Sequence, residues 1–268
     1  MKGRVKGMKI ALCQFNIRYE EKEENLARAE NFIQQAASDQ AAMILFPEMS
    51  FTGFSMNTQL TGEEREETLE AMRKLARREG IAIGFGWVKG KSSAENHYTI
   101  VDENGEVLED YVKIHPFSYS GEDSFFVKGS RPGSFVYKGI PFGVSICYDL
   151  RFPELYQHLS GEAHVILVSA NWPKRRRLHW RSLLQARAIE NQVYMIGINC
   201  CGRQGDLYYS GNSGVVSAQG EVLFEIEDRE ELRIFELNDD VSSCRMEFPV
   251  KADRRPSLYK EFYVTVQP

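Results

Sequence analysis

The sequence has few of the features that mark membrane, nucleic-acid-binding or disulfide-stabilised proteins. No apolar run approaches the ~20 residues that cross a bilayer, and a formal net charge of −5 gives no basic excess for binding phosphate backbones. The five cysteines are odd in number and lack C-x-x-C spacing, which argues against a disulfide framework or a zinc knuckle. The N-terminus has no cleavage-site pattern. We therefore expect a cytoplasmic protein with reduced thiols that binds neither membrane nor nucleic acid.

The chain also lacks a linker rich in proline, glycine or serine. Hydrophobic residues make up 43% of the 268 residues and charged residues 26%, values close to globular averages, so there is apolar material for a large core. We therefore predict one domain over residues 1–268.

Two halves of the chain repeat one order of predicted elements: strand, helix, strand, helix, strand, hairpin. The periodicity of apolar residues and the turn signals predict this order at 8–15, 21–39, 41–46, 63–79, 81–88 and 98–114, and again at 135–146, 152–160, 164–170, 178–191, 193–199 and 213–226. Two such halves stack most simply sheet on sheet, with helices outside. The prediction is an α/β fold: a four-layer α-β-β-α sandwich with an internal pseudo-two-fold.

Reactive side chains follow four of the predicted strands. Glu48 follows the strand at 41–46, Lys113 lies near the end of the first hairpin, and Cys147 and Asn171 follow the strands at 135–146 and 164–170. Functional groups of stacked α/β sheets gather beyond the carboxyl ends of strands. We therefore expect these four residues to share a site.

Cys147 lies in the stretch "GVSICYDLRFPELY", where an apolar strand changes into a short helix. A lone cysteine is usually a small buried hydrophobe. A sharp turn from strand to helix, however, exposes the thiol in the manner of a nucleophile elbow, and a following helix N-terminus favours the thiolate. The context thus indicates a nucleophile.

A thiol nucleophile needs a base, and the sequence offers two kinds. The histidines, His97, His115, His158, His164 and His179, are scattered and none has a decisive motif, so a Cys-His hydrolase stays open. Glu48 is the alternative base, and Lys113 would then stabilise the oxyanion that forms when the thiol adds to a carbonyl.

Three motifs in order resemble those of the nitrilase, or carbon-nitrogen hydrolase, superfamily: "LFPEM", "DYVKIHPF" and "CYDLRFPEL". The resemblance runs from about residue 9 to 259, and "SANWPKRRRLHWRSLLQARAIENQVY" is most similar to the ω-amidase-like branch. It implies the four-layer sandwich, a cysteine amidase without metal or organic cofactor, and by analogy a homodimer. It also implies a second glutamate, for which Glu122 in "SGEDSFFVKG" is the candidate and Asp123 a weaker one.

The resemblance implies that Glu48, Lys113, Glu122 and Cys147 catalyse hydrolysis, with the backbone N–H of Tyr148 as a further oxyanion donor. It also implies that the substrate is the terminal amide of a 2-oxo acid, whose carboxylate calls for a cation. Bidentate arginine suits carboxylates, and we select Arg175 from the basic run 174–177, with Arg151 open as a binding or a structural residue. Phe54, Asn171 and Trp172 are the other candidate contacts. Hydrolysis of carbamoyl amino acids, aliphatic amides or nitriles, and a silent binding protein, remain alternatives.

Overall fold

The computed structural model describes residues 7–265, which form two β-sheets with helices packed on them. The strands are, in chain order, β1 (Met8–Gln14), β2 (Met43–Leu45), β3 (Ala82–Lys89), β4 (Glu95–Val101), β5 (Val107–Val112), β6 (Gly133–Tyr137), β7 (Ile140–Ile146), β8 (Val165–Ala170), β9 (Tyr194–Asn199), β10 (Cys201–Gln204), β11 (Leu207–Val216), β12 (Val222–Glu227) and β13 (Glu231–Leu237). The α-helices are α1 (Lys22–Ser38), α2 (Thr58–Thr61), α3 (Glu67–Glu79), α4 (Pro153–Leu159), α5 (Arg177–Asn191), α6 (Val241–Glu247) and α7 (Pro256–Thr265). Within this part of the chain, no helix combines the length and apolarity needed to cross a bilayer.

Both sheets are built on one plan. The first has the strand order β13-β1-β2-β3-β4-β5, and the second has the order β10-β11-β9-β8-β7-β6, with β12 also paired to β11. In each sheet three neighbouring strands are parallel, β1 to β3 and β7 to β9, and they continue into antiparallel strands on one side. A single antiparallel strand, β13 or β6, pairs with the opposite side. The shared plan confirms the predicted two-fold relation between the halves.

Alternating strand residues divide the apolar side chains between the two faces of each sheet. In β1, Ile10 and Leu12 belong to the core between the sheets, whereas Ala11 and Cys13 point to the outer face. Helices α1 and α3 pack on the outer face of the first sheet, and α4 and α5 pack on that of the second. Helix, sheet, sheet and helix therefore follow in order, and the predicted four-layer sandwich is confirmed.

The helix predicted at 63–79 begins four residues late, at Glu67. The buried carboxylate of Glu63 accepts hydrogen bonds from the backbone N–H of Thr68, at 2.8 Å, and from its hydroxyl. Glu66 has a left-handed φ of 56° and so interrupts the chain just before the helix. Glu63 thus caps α3 from outside the helix, because free N–H groups at a helix start need acceptors.

The predicted strand at 135–146 is a hairpin of β6 and β7. Lys138 and Gly139 connect the two strands with φ values of 49° and 80°, both in the left-handed region that tight two-residue hairpin turns require. The chain therefore reverses at Lys138 and Gly139, Pro141 already lies in β7, and β7 alone leads to Cys147.

The strand ends place the polar residues as the sequence predicts. Lys113, Cys147 and Asn171 directly follow β5, β7 and β8, and Glu48 comes three residues after β2. The turn that carries Glu48 is fixed to the neighbouring strand β3. In it, Ser50 N–H donates to the Gly86 carbonyl at 2.9 Å, and Gly86 N–H donates to Ser50 Oγ at 2.8 Å.

Gly86 permits this close approach because it has no side chain, so its replacement tests how the turn is held. A Cβ at Gly86 would lie 2.3 Å from Met49 N and 2.9 Å from the Glu48 carbonyl carbon. We expect Gly86→Ala to lower the free energy of unfolding by about 1–3 kcal/mol, the usual cost of overpacking, in urea denaturation. Gly143→Ala is the matched control in the second sheet, because its Cβ would meet side-chain atoms at 3.2 Å or more and should cost less. Equal losses for the two variants would contradict this explanation.

Candidate active site

A cluster of three buried charged side chains lies at the strand ends. Lys113 Nζ donates to Glu48 Oε1 at 2.8 Å and to the two Glu122 oxygens at 3.0 and 2.9 Å. Burial by itself would lower the pKa of Lys113, but the charges of Glu122 and Glu48 outweigh burial and raise that pKa above its ordinary value. Lys113 is therefore a stable ammonium held between two carboxyl groups.

Glu48 is oriented by donors on both of its oxygens. Besides Lys113, Asn96 Nδ2 donates to Oε1 at 2.8 Å, and the backbone N–H of Asn171 donates to Oε2 at 2.9 Å. The side-chain Nδ2 of Asn171 donates to the Glu48 carbonyl at 2.6 Å. These bonds fix both the backbone and the carboxylate of Glu48 in one position.

Glu122 enters the cluster from a short 3₁₀ turn, Glu122–Ser124. Its carboxylate accepts hydrogen bonds from the backbone N–H of Phe117 and from Asn96 Nδ2, the latter at 3.1 Å. Burial raises the pKa of the Glu122 carboxyl, and Lys113 opposes that shift. The neighbouring Asp123 is exposed. Of the two acidic candidates, the structure brings Glu122 to Lys113.

Cys147 lies at a strained bend between β7 and a 3₁₀ turn, Cys147–Arg151, with a left-handed φ of 47°. Asp149 holds the bend, because its carboxylate accepts the N–H groups of Ile146 at 2.9 Å and His115 at 3.0 Å. Burial raises the pKa of the thiol well above its ordinary value, and the charge of Glu48 raises it further against the effect of Lys113. The Glu48 carboxylate therefore lies close enough to the thiol to act on its pKa.

The predicted stabilisation of a thiolate by a helix N-terminus is therefore wrong. Helix α4 begins at Pro153, beyond the 3₁₀ turn, so its N-terminus does not start at the thiol. The raised pKa means that Cys147 is a neutral thiol at rest and that it needs a base at the moment of attack. Of the charged side chains that act on this pKa, Glu48 has the largest effect, which makes it the candidate proton acceptor.

Four of the five histidines are engaged elsewhere in the part of the chain that the structure describes, and the fifth, His158, is exposed on α4. His115 Nδ1 pairs with Asp149 at 2.8 Å, His97 and His164 pair with Asp110 and Asp239, and His179 accepts from Arg151. Among the described residues, the hydrogen-bond contact of the Cys147 sulfur is with the Asn171 carbonyl oxygen, at 4.0 Å. The described geometry therefore favours the carboxylate over a histidine as the partner of the thiol.

The thiol opens into a pocket of about 220 Å³ whose lining includes the predicted residues Phe54, Asn171, Trp172 and Arg175, and Tyr148. Among the described residues, the lining holds three arginines, at 151, 175 and 176, and no acidic side chain. Phe54 also lies under the cluster, with Lys113 Nζ 5.5 Å from its ring centre. The structure thus brings together every residue selected from the sequence.

The sequence reasoning missed two polar residues that complete the site. Asn96 donates to both carboxylates, and the buried Gln204 donates to Asn171 Oδ1 at 3.2 Å and accepts from the backbone N–H of Phe54 at 3.3 Å. Strand pairing is the signal that could have found Asn96. The pairing of β4 with β5 places Asn96 opposite Lys113, whose backbone N–H donates to the Asn96 carbonyl. Gln204 lies on β10, a strand that the sequence reasoning did not predict.

Comparisons with known proteins agree with this geometry. Residues 9–246 match the family described as carbon-nitrogen hydrolase. The chain belongs to that family. As a carbon-nitrogen hydrolase, it is 34% identical to the 2-oxoglutaramate amidase of Bacillus subtilis (strain 168) over 256 residues, which are 93% of this chain and 98% of the relative. It is 30% identical to omega-amidase YafV of Escherichia coli (strain K12), with 85% and 88% covered.

Solved structures of carbon-nitrogen hydrolases have the same fold. XC1258 from Xanthomonas campestris, a superfamily protein with an arsenic adduct in its active site, matches with a TM-score of 0.88 and 26% identity over 93% of this chain and 97% of that one. An amidase mutant from Nesterenkonia sp. AN1 matches with a TM-score of 0.87 and 27% identity, covering 97% and 98%. Its active-site cysteine carries the acetamide moiety of fluoroacetamide.

The raised pKa of Cys147 predicts how the thiol reacts as pH changes. Because the folded protein keeps this thiol protonated, its alkylation by iodoacetamide should not rise through the ordinary thiol pKa of about 8.5. The rate is measured by mass spectrometry of the Cys147 peptide from about pH 7 to about pH 9.5, with free N-acetylcysteine as the reference thiol. A sigmoidal increase centred at or below the pKa of the reference would show that Cys147 titrates as an ordinary or activated thiolate.

Proposed function

We propose that the protein is an ω-amidase, a thiol hydrolase that cleaves the terminal amide of a 2-oxo acid monoamide such as 2-oxoglutaramate. The observation that carries this proposal is a neutral thiol beside a Glu48-Lys113-Glu122 cluster, in a pocket that contains arginines and no acid among its described residues. The relatives named 2-oxoglutaramate amidase and omega-amidase support the same substrate.

In the first half of the proposed reaction, Glu48 accepts the proton of Cys147 while the sulfur bonds to the amide carbon. The carbonyl oxygen becomes an oxyanion, for which the Lys113 ammonium and the backbone N–H of Tyr148 are the proposed donors. The carbonyl then re-forms, the C–N bond breaks, and the proton on Glu48 passes to the departing nitrogen. Ammonia leaves, and a thioester remains on Cys147.

In the second half, water attacks the thioester while Glu48 accepts one of its protons. The C–S bond breaks, the carboxylic acid is released, and the proton on Glu48 returns to the sulfur. Glu122 holds Lys113 in place with two hydrogen bonds and helps to position the substrate. The cycle is balanced without metal or organic cofactor, and we propose that none is used.

The remaining candidate residues serve as pocket walls and contacts in this proposal. Phe54 and Trp172 are the apolar walls, and the Asn171 backbone orients Glu48. The arginines, Arg175 among them, supply positive charge for the carboxylate of the substrate. A nitrile, an aliphatic amide or a carbamoyl amino acid would use the same cluster, and the arginines favour the anionic substrates among these.

We also propose the wider setting that the sequence predicts. The whole chain, 1–268, is taken as one domain that works in the cytoplasm as a homodimer. Membranes and nucleic acids are not proposed as partners, since the net charge is negative and the described helices do not suit a bilayer.

Release of ammonia from a panel of substrates tests the proposed function. We expect 2-oxoglutaramate to be turned over with a higher kcat/KM than butyramide, N-carbamoyl-alanine or propionitrile. Cys147→Ala should abolish turnover because no thioester can form. Cys244→Ala, a half-buried cysteine on α6, is the matched control and should keep the wild-type rate. Full turnover by Cys147→Ala, or preference for the nitrile or the ureido acid, would overturn the proposal.

Lys113 has two roles in this proposal, charge balance and catalysis, which two variants can separate. Lys113→Met should lower kcat at least about 100-fold through loss of an oxyanion donor. It should also lower the free energy of unfolding by about 3–5 kcal/mol, because two buried carboxylates lose their cation. Adding Glu122→Gln to Lys113→Met removes one carboxylate charge, so it should recover part of the free energy of unfolding and none of the rate. Recovery of the rate together with stability would mean that Lys113 is merely structural.

A further inference from the structure

The arginines of the pocket differ in their exposure and in the partners that the protein gives their guanidinium groups. Arg175 is exposed at the rim, whereas Arg176 is half-buried. The Arg151 guanidinium lies 4.8 Å from the Trp172 ring centre and donates to His179 Nδ1 at 3.2 Å. Neighbouring Lys174 has an acidic partner, Asp228, at 3.1 Å. Among the described residues, Arg176 has no such ion pair.

Arg176 contacts two separate segments of the pocket lining. Its carbonyl accepts a hydrogen bond from Trp172 Nε1 at 2.8 Å, and its own N–H donates to the Pro173 carbonyl at 2.9 Å. Its side chain reaches Phe117, whose ring centre lies 5.0 Å from the guanidinium carbon. Stacking on an aromatic ring leaves the edge of the planar guanidinium free for a bidentate contact.

The surroundings of the Arg176 guanidinium disfavour its positive charge, so an anion bound beside it would be stabilising. Burial and the like charges of Arg175 and Arg151 lower the pKa of Arg176, and Cys147 lies close enough to influence it. A half-buried cation that lacks a carboxylate partner is stabilised by any anion that enters the pocket. The same pocket contains the thiol that would attack the other end of that anion.

We propose that Arg176 is the residue that binds the substrate carboxylate and thereby selects ω-amides of carboxylic acids over neutral amides. This inference rests on the proposed function and assigns one residue of its site. Arg175, at the rim, supplies long-range attraction, and Arg151 contributes to the wall formed with Trp172. With its carboxylate on Arg176, a substrate presents its far end to Cys147.

Protection of Cys147 from alkylation tests the proposal without requiring turnover. The probe is 2-oxoglutarate, the acid that the proposed reaction releases, and the readout is the concentration that halves the rate of iodoacetamide labelling. Each variant is compared with its own rate without the acid. Arg176→Gln should raise the half-protecting concentration about 10-fold to 100-fold, as expected for loss of a charged, bidentate contact. Arg176→Lys should fall in between, because it keeps the charge and loses the planar fork.

Lys174→Gln is the matched control, since it removes one positive charge from the same turn at a side chain outside the pocket lining. It should leave protection within about threefold of wild type, which measures the long-range effect of charge alone. A larger effect from Arg175→Gln than from Arg176→Gln, or no protection of the wild-type thiol, would overturn the assignment. If protection depends on Arg176 while 2-oxoglutaramate is not hydrolysed, the assignment stands and the proposed function fails. If the wild-type protein hydrolyses 2-oxoglutaramate but Arg176→Gln leaves the protection unaltered, the proposed function stands and the assignment of Arg176 fails.

Discussion

The buried ion cluster of Glu48, Lys113 and Glu122 is the constraint on which the rest of the site depends. Moving two carboxyl groups and an ammonium out of water is costly unless their oxygens and hydrogens find partners. The fold supplies those partners from separate segments: the Asn171 N–H after β8, the Asn96 amide on β4, and the Phe117 N–H before the 3₁₀ turn. Because each donor comes from a different element, the cluster forms when the two sheets have come together.

Periodicity predicted much of this architecture because the same order of strands and helices occurs twice in the chain. The parallel strands are continuous apolar runs, and the polar residues that follow them stand at the carboxyl ends of those strands, where stacked α/β sheets carry their chemistry. Local pattern could not predict β13, because its pairing with the distant strand β1 decides its conformation. It also missed β10, the four-residue strand that holds Gln204 and pairs with β11 in a tight hairpin. The charge state of Cys147 was also out of reach, since burial sets it.

Asn96 shows that strand register cannot be predicted by counting residues from the hairpin turn when a bulge is present. The hairpin of β4 and β5 pairs Val101 with Val107, and counting back from that pair along a regular ladder would put Glu95 opposite Lys113. A bulge between Ile100 and Val101 shifts the register by one residue, so that His97 pairs with Val112 and Asn96 comes opposite the lysine. An amide donor, in place of a further carboxylate, thus faces the cluster.

The pairing of β13 with β1 bears on how the chain is made. Met8–Gln14 and Glu231–Leu237 are hydrogen-bonded along their whole length, although more than 200 residues separate them. On a ribosome, which releases the N-terminal part first, the edge of β1 that pairs with β13 would stay unpaired until Glu231–Leu237 had emerged. The first sheet is therefore completed only after β13 has been synthesised. Until then, β1 can pair with a wrong strand.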